Sequence, residues 1–172
     1  MTRKETDSTS KYTHIVHPFP ALWDENSEIL ILGSFPSVKS REQNFFYGHP
    51  QNRYWKLIAK LFGEDAPTTI EEKKAFALRN HIAMWDVIAE CDIVGSSDSS
   101  IKNARANDLS AILNGSKVRR IFVNGKTAEK LYIKYIEPVT GIKAVCLPST
   151  SPANAAFTMD RLFDAWKKAI FE

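Results

Sequence analysis

A chain of 172 residues, 44% hydrophobic and 25% charged, has the size and balance of a single globular domain with a real core. Its net charge of +3 (pI near 8.8) is compatible with nucleic acid without implying it. Two cysteines that form no CxxC pair and four scattered histidines offer no zinc or iron–sulfur ligand set, so no metal and no cofactor is expected, and Cys91 and Cys146 read as reduced core thiols of a cytosolic protein.

The chain opens on "MTRKETDSTSKYT", which is polar and has no apolar centre. Residues 1–13 are expected to be disordered, with a single domain over 14–172. No apolar run is long enough to span a bilayer, so no membrane association and a cytoplasmic location are predicted, at the nucleoid if the source is prokaryotic. "EILILGS" (28–34) is a short continuous apolar run ending in glycine, the pattern of a strand buried on both faces. "NRYWKLIAKLFG" then places Tyr54, Leu57, Ile58, Leu61 and Phe62 at helical spacing, with Gly63 as the stop. "TIEEKKAFALRN" predicts a second helix, and "HIAMWDVI" (81–88) a second buried strand.

"GSSDSS" (95–100) is a loop, and "NDLSAILNG" a short helix capped by Asn107. "RRIFVNG" (119–125) predicts a third strand, "KTAEKLYIKYI" its following helix and "IKAVCLP" (142–148) a fourth strand. "TMDRLFDAWKKAIF" closes the chain as a helix with Met159, Leu162, Phe163, Trp166 and Ile170 on one face. Repeated strand–helix units predict an α/β fold: a three-layer α/β/α sandwich around a central, mainly parallel four-stranded sheet. Ligands of such sheets sit outside the carboxyl ends of the strands. Those ends are Gly33–Ser37, Trp85–Asp86, Asn124–Gly125 and Pro148–Asn154, so these segments are expected to meet in one cleft.

Several of their residues carry two readings. Asn52 suits a helix N-cap, yet a carboxamide can also orient a water through its oxygen without changing charge. His49 is either a turn residue or a hydrogen-bond donor. Phe45, Phe46 and Tyr47 are too many aromatics for a solvated turn, so some pack inward and one can offer a stacking face to a base. "LPSTSPAN" (147–154) is either an ordinary strand-to-helix loop or a rigid polar grip for phosphate or sugar. Asn124 either forms a turn beside Gly125 or reads a base edge. Asp86 and the loop 95–100 either line the cleft or brace it. Lys39 and Lys126 are either phosphate contacts or solvated surface lysines. The stretch from Gly33 to Trp55 contains a single acid, Glu42.

"GSFPS", "YGHPQNRYW", "MWDVI", "GSSDSSI", "IFVNG" and "LPSTSPAN" together resemble the uracil-DNA glycosylase superfamily, from about Pro18 to the C-terminus, and within it the hypoxanthine-DNA glycosylase branch, also called DNA-deoxyinosine glycosylase. That resemblance implies a monofunctional enzyme of base excision repair, monomeric, acting on DNA that contains a deaminated base. Uracil or another damaged base, or a silent DNA-binding module, are the alternatives. The superfamily's first motif, Gly-x-Asp/Asn-Pro, falls on Gly33-Ser34-Phe35-Pro36, where Phe35 replaces the water-activating residue. In the hypoxanthine branch the catalytic asparagine lies in "HPQN", which is Asn52. The resemblance implies a base pocket of Gly33, Ser34, Phe35, Pro36, Phe46, Tyr47, His49, Asn124 and Ser149. It implies DNA contacts from Ser37, Ser149, Thr150, Ser151, Pro152, Ala153 and Asn154. Ala153 stands where other members have a leucine wedge, and is a poor wedge.

Overall fold

In the computed structural model, which describes residues 11–172, two sheets are formed. The expectation of disorder over residues 1–10 lies outside the described residues; from Thr13 the chain is already in a strand. The central sheet contains β2 (Ile29–Gly33), β3 (Ile82–Asp86), β6 (Arg120–Asn124) and β7 (Ala144–Leu147), in the order β3-β2-β6-β7 and parallel throughout. The predicted four-stranded sheet is therefore present, within a residue or two at each end.

Its strands are apolar along their length because both faces are covered. Side chains alternate between two cores. Ile31, Ile82, Met84, Phe122 and Leu147 face one core, with α2 (Tyr54–Leu61), α3 (Ile70–Arg79) and α7 (Met159–Phe171). Leu30, Leu32, Ala83, Ile121 and Val123 face the other, with α4 (Ser110–Gly115) and α5 (Lys126–Tyr135). This is the expected three-layer arrangement. α3 opens on a full capping box, Thr69 with Glu72.

A second sheet was not expected. β1 (Thr13–Val16), β4 (Ile88–Ile93) and β5 (Lys102–Ala106) form an antiparallel sheet in the order β1-β4-β5. The run 81–88, predicted as one strand, is corrected to the whole of β3 followed, after Val87, by the first residue of β4. The chain changes sheets at Val87, whose N–H donates to Gly33 O at 2.8 Å. Asn107 does not cap α4. Its Nδ2 donates to Asp86 O (2.8 Å) and Ile88 O (3.3 Å), so it ties the sheet-changing bend together, and Asp108 accepts from Ser110 N–H at the helix start instead. Two short helices also escaped the periodicity: α1 (Val38–Gln43), capped by Ser37, and α6 (Glu137–Thr140). Both cysteines are free thiols, Cys91 buried and Cys146 half-buried. Among the described residues no helix is long and apolar enough to cross a membrane.

The exit of β7 is anchored by Trp166. Its side chain is fully buried and its Nε1–H donates to Pro148 O at 2.9 Å. Trp166→Ala is expected to cost about 3–5 kcal/mol, read as a lowered midpoint in denaturant unfolding. Trp166→Phe, which keeps most of the volume, should cost clearly less.

Candidate active site

The carboxyl ends of β2, β3, β6 and β7 open onto one cavity of about 330 Å³, the size of a small-ligand site. Gly33, Ser34, Phe35, Pro36 and Ser37 form its β2 wall. Phe46, Tyr47, His49 and Asn52 form the next wall, and Asn124 lies at the end of β6. Ser149, Thr150, Ser151, Pro152 and Ala153 make the rim beyond β7. Of the base-pocket and DNA-contact residues implied by the resemblance, Asn154 does not line the cavity: its Nδ2 donates to Ser149 O at 3.0 Å and braces the loop from behind.

The aromatic run divides as its crowding requires. Phe45 packs in the core, Phe46 is buried but reaches the cavity, and Tyr47 stacks on Tyr54 with ring centroids 4.2 Å apart. Tyr47 is held at φ +52, an uncommon conformation for a bulky residue. Burial beside Asp86 pushes its phenol well above the ordinary range. His49 is a turn residue: its Nδ1 accepts from Gln51 N–H at 3.1 Å. It also lines the cavity.

Asn52 sits just before α2, and both readings of it touch the same atom. Its Oδ1 accepts from Tyr54 N–H (3.0 Å), as a cap would, and from the Thr150 hydroxyl (2.9 Å). Thr150 Oγ1 in turn accepts from Asn124 Nδ2 (3.0 Å), and Thr150 N–H donates to Asn124 Oδ1 (3.1 Å). Asn124 Nδ2 also donates to Tyr47 OH (3.1 Å). The backbone donor at Tyr54 fixes which end of the Asn52 amide is oxygen. A carbonyl oxygen has two lone pairs, and both are in use. The group of Asn52 without a protein partner among the described residues is its Nδ2 amino group. Asn124 is likewise half committed, holding Thr150 with its oxygen.

The loop after β7 is organised by Arg53, which the sequence reading passed over. The Arg53 guanidinium donates to the carbonyls of Thr150, Ser151, Asn154 and Phe157, and its backbone N–H also donates to Thr150 O. A planar five-donor fork is suited to gathering several carbonyls. Gly125, at φ +98, lets this loop approach β6: a Cβ there would lie 3.1 Å from Ser149 Cβ.

Two carboxylates enter the cavity. Asp86, at the end of β3, is 5% exposed, and its Oδ2 accepts from His17 Nε2–H at 2.7 Å. His17 Nδ1 takes a long contact from Phe19 N–H (3.4 Å), which leaves the ring proton on Nε2. Asp86 Oδ1 has no protein donor among the described residues and crowds Gly33, where a Cβ would lie 2.5 Å from it. Asp98, in the short 3-10 turn Asp98–Ser100, accepts from the Ser34 hydroxyl at 2.6 Å. Burial, and secondarily the negative field of Asp86, raise its carboxyl above the usual range despite the Ser34 bond. The loop 95–100 thus lines the cleft with Ser96 and Asp98, and also braces it, since Ser96 Oγ accepts from Val38 N–H. The stretch from Gly33 to Trp55 holds the single acid Glu42; these two acids reach the cavity from elsewhere in the chain. Asp86 was visible as a lone acid in an apolar strand. His17 gave no signal, because its partner is 69 residues away. Lys39 and Lys126 are exposed, and Lys39 is ion-paired with Glu42 at 3.5 Å. Among the described residues no group of three or more histidine, cysteine or acidic side chains is placed to hold a metal ion.

Residues 20–172 match the model of the uracil DNA glycosylase superfamily. A hypoxanthine DNA glycosylase of Methanosarcina acetivorans is 39% identical over 148 residues, covering 83% of this chain and 90% of that protein. A second, from Methanosarcina barkeri, is 35% identical over 141 residues, covering 79% and 86%. A solution NMR structure of a candidate uracil DNA glycosylase from M. acetivorans superposes with a TM-score of 0.75 at 37% identity, covering 89% of this chain and 94% of that one.

Arg53→Lys keeps the charge and loses the fork. Its expected effect is faster amide exchange across residues 151–157 and a loss of about 1–3 kcal/mol of stability, with exchange in the central sheet unchanged. Unaltered exchange in the loop would show that the guanidinium does not hold it.

Proposed function

The chain belongs to the uracil DNA glycosylase superfamily, and from that membership we propose that it is a monofunctional DNA glycosylase that releases hypoxanthine from deoxyinosine by hydrolysing the N-glycosidic bond, the first step of base excision repair. It is read as acting as a monomer on DNA that contains a deaminated base. A stacked base is out of reach of a cavity this deep, so the nucleotide is flipped into it. Phe35 and Phe46 offer apolar walls.

The observation that carries the choice of base is Asp86 Oδ1, a buried acceptor with no protein donor among the described residues, at the cavity wall. Hypoxanthine presents N1–H as a donor on its Watson–Crick edge, where adenine has a bare nitrogen. A carboxylate accepts and cannot donate. It therefore favours hypoxanthine over the parent base, and His17 holds it in place. Uracil also carries a ring N–H, but flanked by two carbonyl oxygens that a carboxylate repels.

Bond cleavage leaves a sugar with cation character. Asn52 Nδ2, without a protein partner among the described residues, can hold a water near the sugar, and an amide is not itself a base. The water therefore adds to a cation already formed. Thr150 keeps the Asn52 amide from turning, because Asn124 fills the Thr150 oxygen and points its proton at Asn52. Pro152 and Ala153 are exposed at the lip, and with Ser151 they face the DNA backbone. The small Ala153 leaves extrusion to depend on the weak pairing of the lesion itself.

Single-turnover release from a panel of duplexes, each carrying hypoxanthine, uracil or adenine at one site, tests these assignments. Hypoxanthine should be released fastest, leaving an unbroken abasic strand that breaks only after alkali, since no amine is positioned to form a Schiff base. Asn52→Ala should lower the rate at least ~10²-fold with the fold retained in a thermal melt. Asp86→Asn should slow hypoxanthine release and narrow the gap to adenine, because an amide can turn either end to the base. Near-normal release by folded Asn52→Ala removes it from the chemistry, and faster uracil release by the wild type refutes the substrate.

A further inference from the structure

The cavity holds a second carboxyl that base recognition does not use. Asp86 and Asp98 both line it, on different elements. Their surroundings differ. Asp86 receives an imidazole N–H at 2.7 Å, whereas Asp98 receives one neutral hydroxyl, Ser34 Oγ, on Oδ2. Asp98 Oδ1 has no protein partner among the described residues. Two acids in one cavity with unequal donors form an arrangement in which one carboxyl can accept from the base while the other donates to it.

The purine requires this asymmetry. Beside N1–H lie O6 and N7, both acceptors, so a second ionised carboxylate on that edge would meet lone pairs, while a protonated one would donate. Hypoxanthine is also a poorer leaving group as an anion than as a neutral base, and N7 can take a proton while still attached to the sugar. We propose that Asp98 is the general acid of the reaction, protonating N7 of the departing purine from Oδ1. This rests on the hypoxanthine reading above.

The step balances as follows. The N9–C1′ bond breaks and its electron pair passes to the base. The Asp98 proton moves to N7, and hypoxanthine leaves neutral. Water adds to C1′ and gives up one proton, which restores the acid form of Asp98. Burial, acting against the Ser34 bond and with the field of Asp86, favours that acid form. The other titratable groups around Asp98 are Tyr47 from the loop after α1 and Cys91 on β4, with Arg41 of α1 beyond Cys91 and His17 beyond Asp86. Burial raises both the Tyr47 phenol and the Cys91 thiol, the latter to about 11, so neither changes charge near neutral pH.

The sign follows from the direction of the Asp98 shift. The rate is highest where Asp98 is protonated and falls as pH rises through its raised value. The test is single-turnover release of hypoxanthine from deoxyinosine and of the base from 7-deaza-2′-deoxyinosine, which lacks N7, over pH 5–9. Asp98→Asn can still accept from Ser34, and should lose ~10²–10⁴-fold on deoxyinosine together with the falling limb. On the 7-deaza substrate, already slow with the wild type, the same substitution should change little. Ser34→Ala removes the bond that lowers the Asp98 value, so its falling limb should move to higher pH; a purely structural serine would not move it. Wild-type protein that releases no hypoxanthine at any pH ends the substrate reading and this one with it. Release by the wild type with an unchanged rate and pH profile in Asp98→Asn, or an equal loss on both substrates, overturns this proposal alone. If Asp98→Asn does not fold, an unmoved limb in Ser34→Ala overturns it.

Discussion

One buried hydroxyl joins the parts of this site. Thr150 is fully buried, and its Oγ1 lies between Asn124 Nδ2 and Asn52 Oδ1. Its position links the end of β6, the loop after β7 and the residue that precedes α2. A hydroxyl can serve as such a link because it accepts and donates at once, and one filled side dictates the other. In a low-dielectric setting a chain of this kind is worth most when every member is satisfied. Asn52 is therefore held in orientation by three separate elements, and Arg53 holds the backbone that carries Thr150. The site is built on fixed strand ends and a pinned loop, which is what reactions relying on position rather than on a strong base require.

How much of this was legible depends on what kind of contact each residue makes. The four parallel strands were readable because burial on both faces leaves a continuous apolar run ending in glycine or asparagine. The convergence of their carboxyl ends follows from the topology, and so did nearly all of the cavity wall. The antiparallel sheet was not readable. β5, "KNARA", is exposed and charged, and β1 is four residues long with little apolar content, so neither carries a period. Val87 hid the change of sheets, because the run is equally apolar on both sides of it. Arg53 looks like a solvent-facing cation in the sequence; only the fold brings the four carbonyls to it. The Asp86–His17 and Ser34–Asp98 pairs span 69 and 64 residues and leave no local trace.

An acidic interior is at first sight a poor match for a polyanion. The two requirements separate by depth. On the glycosylase reading, backbone phosphates stay at the mouth, where the rim offers the hydroxyls of Ser149 and Ser151. The base alone travels inward, and it is neutral. Inside, on the same reading, a carboxylate selects for N–H donors, and its field adds to the burial that raises the neighbouring Asp98 carboxyl. Gly33 belongs to the same arrangement. A side chain at Gly33 would run into Asp86 Oδ1.

His17 approaches this pocket from the antiparallel sheet, on the segment that follows β1. The region recognised by the superfamily model begins only at residue 20. A domain boundary placed there would preserve all four parallel strands, all of the helices and nearly every residue of the cavity wall. It would also remove the one donor that compensates Asp86, leaving a buried carboxylate to draw in solvent or a stray proton. The structural unit that shapes the pocket is thus longer at its start than the part of the chain that the family model matches.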